Sequence, residues 1–498
     1  MEFREIPPKL TRTEWNALLD HGLVKSTDCL VVKKEDQAQA LNGTTGKVDY
    51  GEGSDSYIIN KVFSHMLTSG RTWKEKVVLK GSFLIDQSIA VPSYTMLDLS
   101  GCKFKLADDA NVPIIYSENT TDIEIRGGIL DGNKSKQSGG TGVSAVRFCG
   151  VRNFLISDLH IKDTYHQGVD IVNSGGNKSC YSNMQNLLIE GSGACGVYVG
   201  YESCYINIDN IIACNSSGGS QIDQDGLILA GETGFTHHIN VDNFISIGNA
   251  RHGGSLWWVK DVNISNFQAY NNTLTGFGLL GDHDIQNVKL EGIFNNNRGW
   301  DGISIITDGS AVFSDLDVKA ICHGNYYDGT KVKANNPSSM IQRIKLDVNA
   351  RNNGWNGVGL SSNATSTRIY DVVLEGISEE NNRSNVGAYG VMLWRVERIL
   401  RNMIVRNQAY GGQDWNIETA KFYENEGVVV YSGDNSCTLF TIPHKLCAEP
   451  SSAIVTPGHA DVSGDFYVNT NDSYIYVCFL TAPPVGNNNV VLYWKAKV

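Results

Sequence analysis

A glycine followed by an apolar–any–apolar triplet returns along most of this chain, and no other feature restricts its fold as much. It occurs as "GVDI" at Gly168, "GVYV" at Gly196, "GLIL" at Gly226, "GGSL" at Gly253 and "GFGL" at Gly276. It continues as "GISI" at Gly302, "GVGL" at Gly357 and "GVML" at Gly390, with a weaker "DGTKV" at Gly329. By subtraction, successive anchors lie 23 to 33 residues apart. Self-similarity at such a period marks a repeat architecture. Ankyrin and leucine-rich arrays are excluded, because their helical segments and motif leucines are missing. Between anchors run short apolar alternations such as "NFLISDLHI", "INVDNFISI" and "DIQNVKLEG", so each repeat holds two or three short strands. That is one coil of a parallel β-helix.

Asn-rich turns precede the anchors, at Asn271–Asn272, Asn295–Asn297, Asn352–Asn353 and Asn381–Asn382. Asn tolerates the left-handed backbone of a sharp bend, and its amide can stack on the Asn of the next coil. Repetition also explains how 498 residues avoid needing one very large core. The expected organisation is a capping segment over residues 1–75, about ten coils over 76–420, and a small antiparallel β-sandwich-like domain over 426–498. In the first segment, Asp55–Gly70 reads as an amphipathic helix with Asp55 as its cap and Gly70 as its stop. A solenoid end exposes strand edges, and a helix there would cover them.

The formal net charge of −12, with no Lys/Arg-rich run, argues against nucleic acid and anionic membranes as partners. No run approaches the length of a membrane span, and the N-terminus "MEFREIPPKLTRTEW" shows no apolar signal region. The chain is therefore expected to be soluble, and an extracellular or virion-borne location would need a route other than a signal peptide. Eleven cysteines form no C-x-x-C pair, so a structural metal is not expected and most read as small buried thiols. One or two disulfides, and a Ca²⁺ among the acids, stay open; no other cofactor is implied.

Equivalent positions on consecutive coils lie about 4.8 Å apart, so a column in the repeat is a stripe in space. The residue before each anchor runs Gln167, Cys195, Asp225, His252, Thr275, Asp301, Asp328, Asn356 and Tyr389. Two residues after the anchor the column runs Asp170, Tyr198, Ile228, Ser255, Gly278 and Ser304. Asp223 and Asp225 in "DQDGLIL" thus neighbour Arg251, His252 and Trp257 in "ARHGGSLWW" on the next coil. Acids, an imidazole, a guanidinium and an aromatic platform in one groove suit sugar-chain chemistry. Hydrolysis of a glycosidic bond needs two carboxyls, whereas elimination or epimerisation of a uronate needs a base and a cation.

Over roughly residues 80–420 this pattern resembles the pectate-lyase-like right-handed β-helix superfamily, which includes polygalacturonases, mannuronan epimerases and many phage tailspikes. "DQDGLIL" followed by "ARHGGSL" is similar to the Asp-Asp and Gly-His-Gly elements of polygalacturonases. Its acids are separated by Gln224, Arg251 replaces the first Gly, and the family's other two elements are absent. Asp225-Gly226 with Arg251-His252-Gly253 is similar to mannuronan epimerases. Their Tyr-Gly-x-Asp-Pro-His element falls at Cys195–Gly200, where Tyr198 or Asp170 would have to stand in. The resemblance implies Asp225, Asp223, His252 and Asp170 as catalytic candidates. Arg251, Tyr198, Trp257, His166 and Asp301 become candidates for binding a polysaccharide, although Asp before Gly is also a common turn choice. Glycoside hydrolysis is expected first, uronate lyase or C5-epimerase chemistry second. A non-catalytic tailspike or adhesin that binds glycans is the reading from another class. The C-terminal segment resembles small β domains appended to β-helix proteins, which is compatible with attachment, glycan binding or a homotrimer or other homo-oligomer.

Overall fold

The computed structural model describes residues 28–498 apart from 35–36, 140–141, 219–222, 364–367, 385–386, 410–412, 419 and 463. The N-terminal stretch read above for a signal region lies outside the described residues. The chain is all-β, a right-handed parallel β-helix of about 11 turns with small antiparallel sheets near the C-terminus. It divides into two compact units, one of residues up to 304 with 321–327, the other of 305–320 with 328–498.

The first unit opens with the antiparallel strands Cys29–Lys34 and Gln37–Asn42. The helix Asp55–Lys61 follows and continues as a π-turn over Val62–Met66, burying Ile58, Ile59, Val62 and Phe63. Its cap is Ser54, whose hydroxyl accepts the Tyr57 N–H at 3.4 Å, and not Asp55 as expected. Asp55 is turned inward instead, paired with Lys33 and accepting the Leu84 N–H at 2.8 Å. Those partners, absent from the local sequence, draw it away from the helix end.

Each coil in this unit combines a short strand with a long one. The short strands Val169–Val172, Val197–Gly200, Leu227–Ala230, Gly254–Trp257 and Phe277–Gly281 pair in parallel. So do the long strands Cys180–Glu190, Cys204–Cys214, Thr236–Ile247 and Val259–Tyr270. Halfway along each long strand one residue has positive φ: Asn186, Asn210, Asn243 and Asn266. It bends the strand and shifts the inside–outside alternation by one, so Asp209 and Asn210 are both exposed before burial resumes. Asn is favoured there because it reaches the left-handed region at little cost.

The interior is largely apolar, mixing aliphatic side chains with phenylalanines such as Phe244, stacked on Phe267 at 5.3 Å. Leu227, Leu229 and Ile303 in this unit, and Ile305, Val358 and Leu360 in the other, are all 0% exposed, as strand alternation after the anchor glycines predicts. The Asn turns form the expected ladder. Asn272 Oδ1 accepts from the Asn249 backbone N–H and Nδ2, both at 3.0 Å, and Asn297 Oδ1 accepts from Asn272 Nδ2 at 3.2 Å. The preceding residues, Asn271 and Asn296, hold the left-handed turn. Among the cysteines, Cys180 and Cys204 on consecutive coils form a disulfide.

In the second unit the same coil recurs, with Thr330–Ala334, Val358–Ser362, Tyr389–Trp394 and Gln413–Glu418 paired in parallel. Two three-stranded antiparallel sheets follow. One joins Glu424–Gly433, Gly486–Lys497 and Ser452–Pro457, the other Leu439–Pro443, Tyr474–Phe479 and Phe466–Thr470. Ile442, Ile475, Val477, Val490 and Leu492 are buried in them. Among the described residues no helix is long and apolar enough to cross a membrane.

Candidate functional site

Strand pairing places Arg147, Asp170, Tyr198, Ile228, Ser255 and Gly278 opposite one another on successive short strands. Their flanking neighbours, such as Val169 and Ile171 or Val197 and Val199, fill the interior. The column itself therefore faces outward, and its first three members form the floor of a cleft of about 180 Å³. His166, Gln167, Cys195, Tyr201, Asp223 and Glu232 are among the residues that complete its wall.

Asp170 is the deepest acid of the cleft, only 3% exposed. Arg147 Nη1 lies 3.3 Å from its Oδ2. Burial pushes the Asp170 carboxyl up to about 6, outweighing the lowering pull of the guanidinium. The loop that delivers Arg147 needs a glycine. At Gly142 the φ is +92°, and an added Cβ would sit 1.8 Å from Arg147 Nη1. His166 Nδ1 accepts the Gly142 N–H at 3.4 Å, and burial lowers the imidazole below its ordinary value. The ring is thus neutral with its proton on Nε2. Tyr198 donates its hydroxyl to Glu232 Oε1 at 3.1 Å. Its ring lies over Gly200, where an added Cβ would meet Tyr198 Cε1 at 2.4 Å. Burial raises the Tyr198 hydroxyl, and the neighbouring Glu232 adds to that, so it remains protonated. Cys195 is 1% exposed, and burial keeps its thiol well above the ordinary value. A thiol so held is no nucleophile.

Asp223 lies at the cleft wall and is paired with Arg251. The Arg251 guanidinium sits 5.5 Å over the ring of Trp257, which is 38% exposed. These three form an arginine-centred cluster on the outer surface.

Asp225 and His252 are not among the residues lining this cleft. They stand on consecutive coils as the column requires, yet their side chains do not pair. Asp225, 0% exposed, accepts the His252 backbone N–H at 3.0 Å and the Ser255 hydroxyl at 2.6 Å. Burial raises it to about 6 against the lowering effects of Arg251 and these two donors. His252 Nδ1 in turn accepts the Thr275 backbone N–H at 3.3 Å. Burial, and then Arg251, lower the imidazole to about 3, so it stays neutral. The second unit repeats the device. Asp328 accepts the Asn356 N–H at 2.9 Å, and Asn356 Oδ1 accepts the Tyr389 N–H at 2.8 Å. Asp225, His252, Asp328 and Asn356 each satisfy a backbone donor of the next coil, which buried backbone demands. Asp301, expected to bind substrate, is likewise buried at 1% and accepts the Ser304 hydroxyl at 2.6 Å.

Sequence reasoning missed Arg147, Tyr201 and Glu232. Arg147 stands two residues after Ala145, as Asp170 stands two after Gly168. An alanine in the anchor place hid its coil from a glycine search. Tyr201 and Glu232 lie in turns of irregular length, which carry no periodic signal. Among the described residues no three His, Cys, Asp or Glu side chains group as metal ligands.

No family model matches the chain, and no curated protein matches it. Solved structures do. The A-module of a mannuronan C-5 epimerase from Azotobacter vinelandii is similar at 14% identity and a TM-score of 0.48, over 73% of this chain and 96% of that one. An N-terminal fragment of gene product 12 from bacteriophage phi29 is similar at 17% identity and a TM-score of 0.49, over 77% of this chain and 72% of that one. The tailspike gp61 of Pseudomonas phage phi297 is similar at 11% identity and a TM-score of 0.41, over 85% of this chain and 67% of that one. These likenesses concern the fold alone. The β-helix of this chain rests on its own parallel strand pairing.

Proposed function

We propose that this chain hydrolyses a polysaccharide in the cleft floored by Arg147, Asp170 and Tyr198. One observation carries the reading. Asp170 is a buried carboxyl held near 6, in the same cleft as two further acids, Asp223 and Glu232. Carboxyls whose environments differ in this way divide into a proton donor and a base or nucleophile. Asp170 takes the donor role, protonating the leaving glycosidic oxygen. Asp223 or Glu232 activates water or attacks. Arg147 holds Asp170 in place and limits how far burial raises it.

The cleft also bears on the sugar. Arg147 is the only Lys or Arg among its lining residues, and it is paired with Asp170. Three acids with no uncommitted cation favour a neutral or hydroxyl-rich saccharide over a polyuronate. Uronate elimination or epimerisation is the second reading. It is favoured by Arg147, His166 and Tyr198 sharing the cleft, with His166 neutral and Tyr198 protonated. An extended sugar chain is a substrate met outside cells, so this reading carries an extracellular or virion-borne site of action.

The test is a screen of neutral and uronic polysaccharides, following reducing ends and the ultraviolet absorbance of unsaturated uronates together. Reducing ends without absorbance support hydrolysis, and both together support elimination. Neither, with binding retained, supports C5-epimerisation or a glycan-binding protein, which exchange of the uronate C5 hydrogen with deuterated water tells apart.

A further inference from the structure

We infer that Tyr201 is a sugar-stacking platform at the mouth of the cleft, held there by a strained turn, and that it determines which saccharide unit docks beside Asp170. The inference rests on the polysaccharide reading above and deepens it. Its starting point is a backbone outlier. Of the 36 non-glycine residues with positive φ among those described, 24 are Asn or Asp, the types that reach this region readily. Aromatic exceptions need a reason, and most have a visible one. Tyr181 stacks on Tyr205 at 5.0 Å, Tyr205 on His238 at 4.5 Å, and Trp258 on His283 at 4.4 Å. Ring contacts within the chain offset their strain.

Tyr201 has φ +54° and lacks such a stack. The neighbouring ring of Tyr198 lies 6.5 Å away at a tilt of 58°. Tyr201 is 37% exposed and lines the cleft with Asp170, His166 and Glu232. The conformation is over-determined by its surroundings. Tyr201 N–H donates to Ala230 O at 3.1 Å, and the next residue, Glu202, also has positive φ, at +63°. Glu202 is tied to Lys178 at 2.8 Å and accepts the Thr233 hydroxyl at 2.9 Å. The Ser203 hydroxyl closes the turn on Gly200 O at 2.6 Å. Strain kept in place by this many contacts, at a side chain with no stacking partner of its own, points to a partner from outside. A half-exposed aromatic face beside hydrogen-bonding acids fits the apolar face of a neutral pyranose, whose hydroxyls would reach Glu232.

The experiment uses the full chain in an Asp170→Asn background, so that binding is read without turnover. Calorimetric titrations would use cellohexaose, maltohexaose, chitohexaose, hexagalacturonate and hexamannuronate as probes. A neutral hexamer is expected to bind most tightly. For that hexamer Tyr201→Phe should bind within about threefold of the parent, and Tyr201→Asn should weaken binding by about 10- to 30-fold. The thermal midpoint of Tyr201→Asn should equal or exceed the parent's, because Asn relieves the strain. A ring with only a structural role would lower that midpoint instead. Unchanged affinity in Tyr201→Asn, a fallen midpoint, or no binding of any of the five hexamers would each overturn the proposal. Failure of the hydrolytic reading looks different: binding that depends on Tyr201, with no cleavage by the wild-type chain.

Discussion

Replacing Asp170 by asparagine should remove a specific part of the chain's pH-dependent stability. The carboxyl is 3% exposed and held at about 6, against a reference value of 3.8. A raised folded-state value means that the folded chain binds this proton more tightly than the unfolded one. The associated stability is fully present below the unfolded value and is lost as pH rises through about 6. Linkage over that span gives a wild-type loss of about 2 kcal/mol between roughly pH 4.5 and pH 7.5 that the variant lacks. Arg147, left without its partner, lowers the variant's stability at both pH values, and since it does not titrate in this range its effect cancels from the difference. Asp225, also near 6, is present in both chains and cancels too. Urea unfolding of wild type and Asp170→Asn at the two pH values, followed by far-ultraviolet circular dichroism, measures the quantity directly. Parallel pH dependence, within about 0.5 kcal/mol, would refute the reasoning, because it would mean that Asp170 titrates as it does in the unfolded chain.

Three further outcomes are expected. If Asp170 acts as the proton donor, turnover should fall as pH rises through about 6. Arg147→Ala should move that limb to higher pH, since the guanidinium lowers the Asp170 value, and a limb that stays in place would separate Arg147 from the donor. In the coil stack, Asn272→Ala leaves the Asn249 backbone N–H without its acceptor, while Asn249 Nδ2 keeps Ser246 Oγ at 2.8 Å. It should cost about 1–3 kcal/mol in urea unfolding, and a loss below about 0.5 kcal/mol would show the ladder to be dispensable.

Much of the fold was legible because a glycine marks where each short strand begins. Fixing that point fixes the register, and the column Asp170–Tyr198–Ile228–Ser255–Gly278 pairs as the sequence predicts. The Asn turns were legible for a related reason, since one residue type serves both the left-handed bend and the stacked amide. The direction of a side chain within the column was not legible. Residues before the anchor hold equivalent positions, but the buried N–H of the next coil claims Asp225 and His252, and sequence does not show that demand. The cleft centre was also displaced. Arg147 follows an alanine anchor, and Tyr201 and Glu232 lie in turns whose length drifts.

The central claim is that catalysis belongs to the outward column at Asp170 and not to the buried column at Asp225 and His252. The most direct test compares initial rates of Asp170→Asn and Asp225→Asn, by reducing-end assay, on whichever polysaccharide the screen finds the wild-type chain to cleave. Asp225→Asn should remain within about threefold of wild type, while Asp170→Asn should fall by about two to four orders of magnitude, the usual worth of a general acid. Near-normal turnover in Asp170→Asn together with collapse in Asp225→Asn would contradict the account.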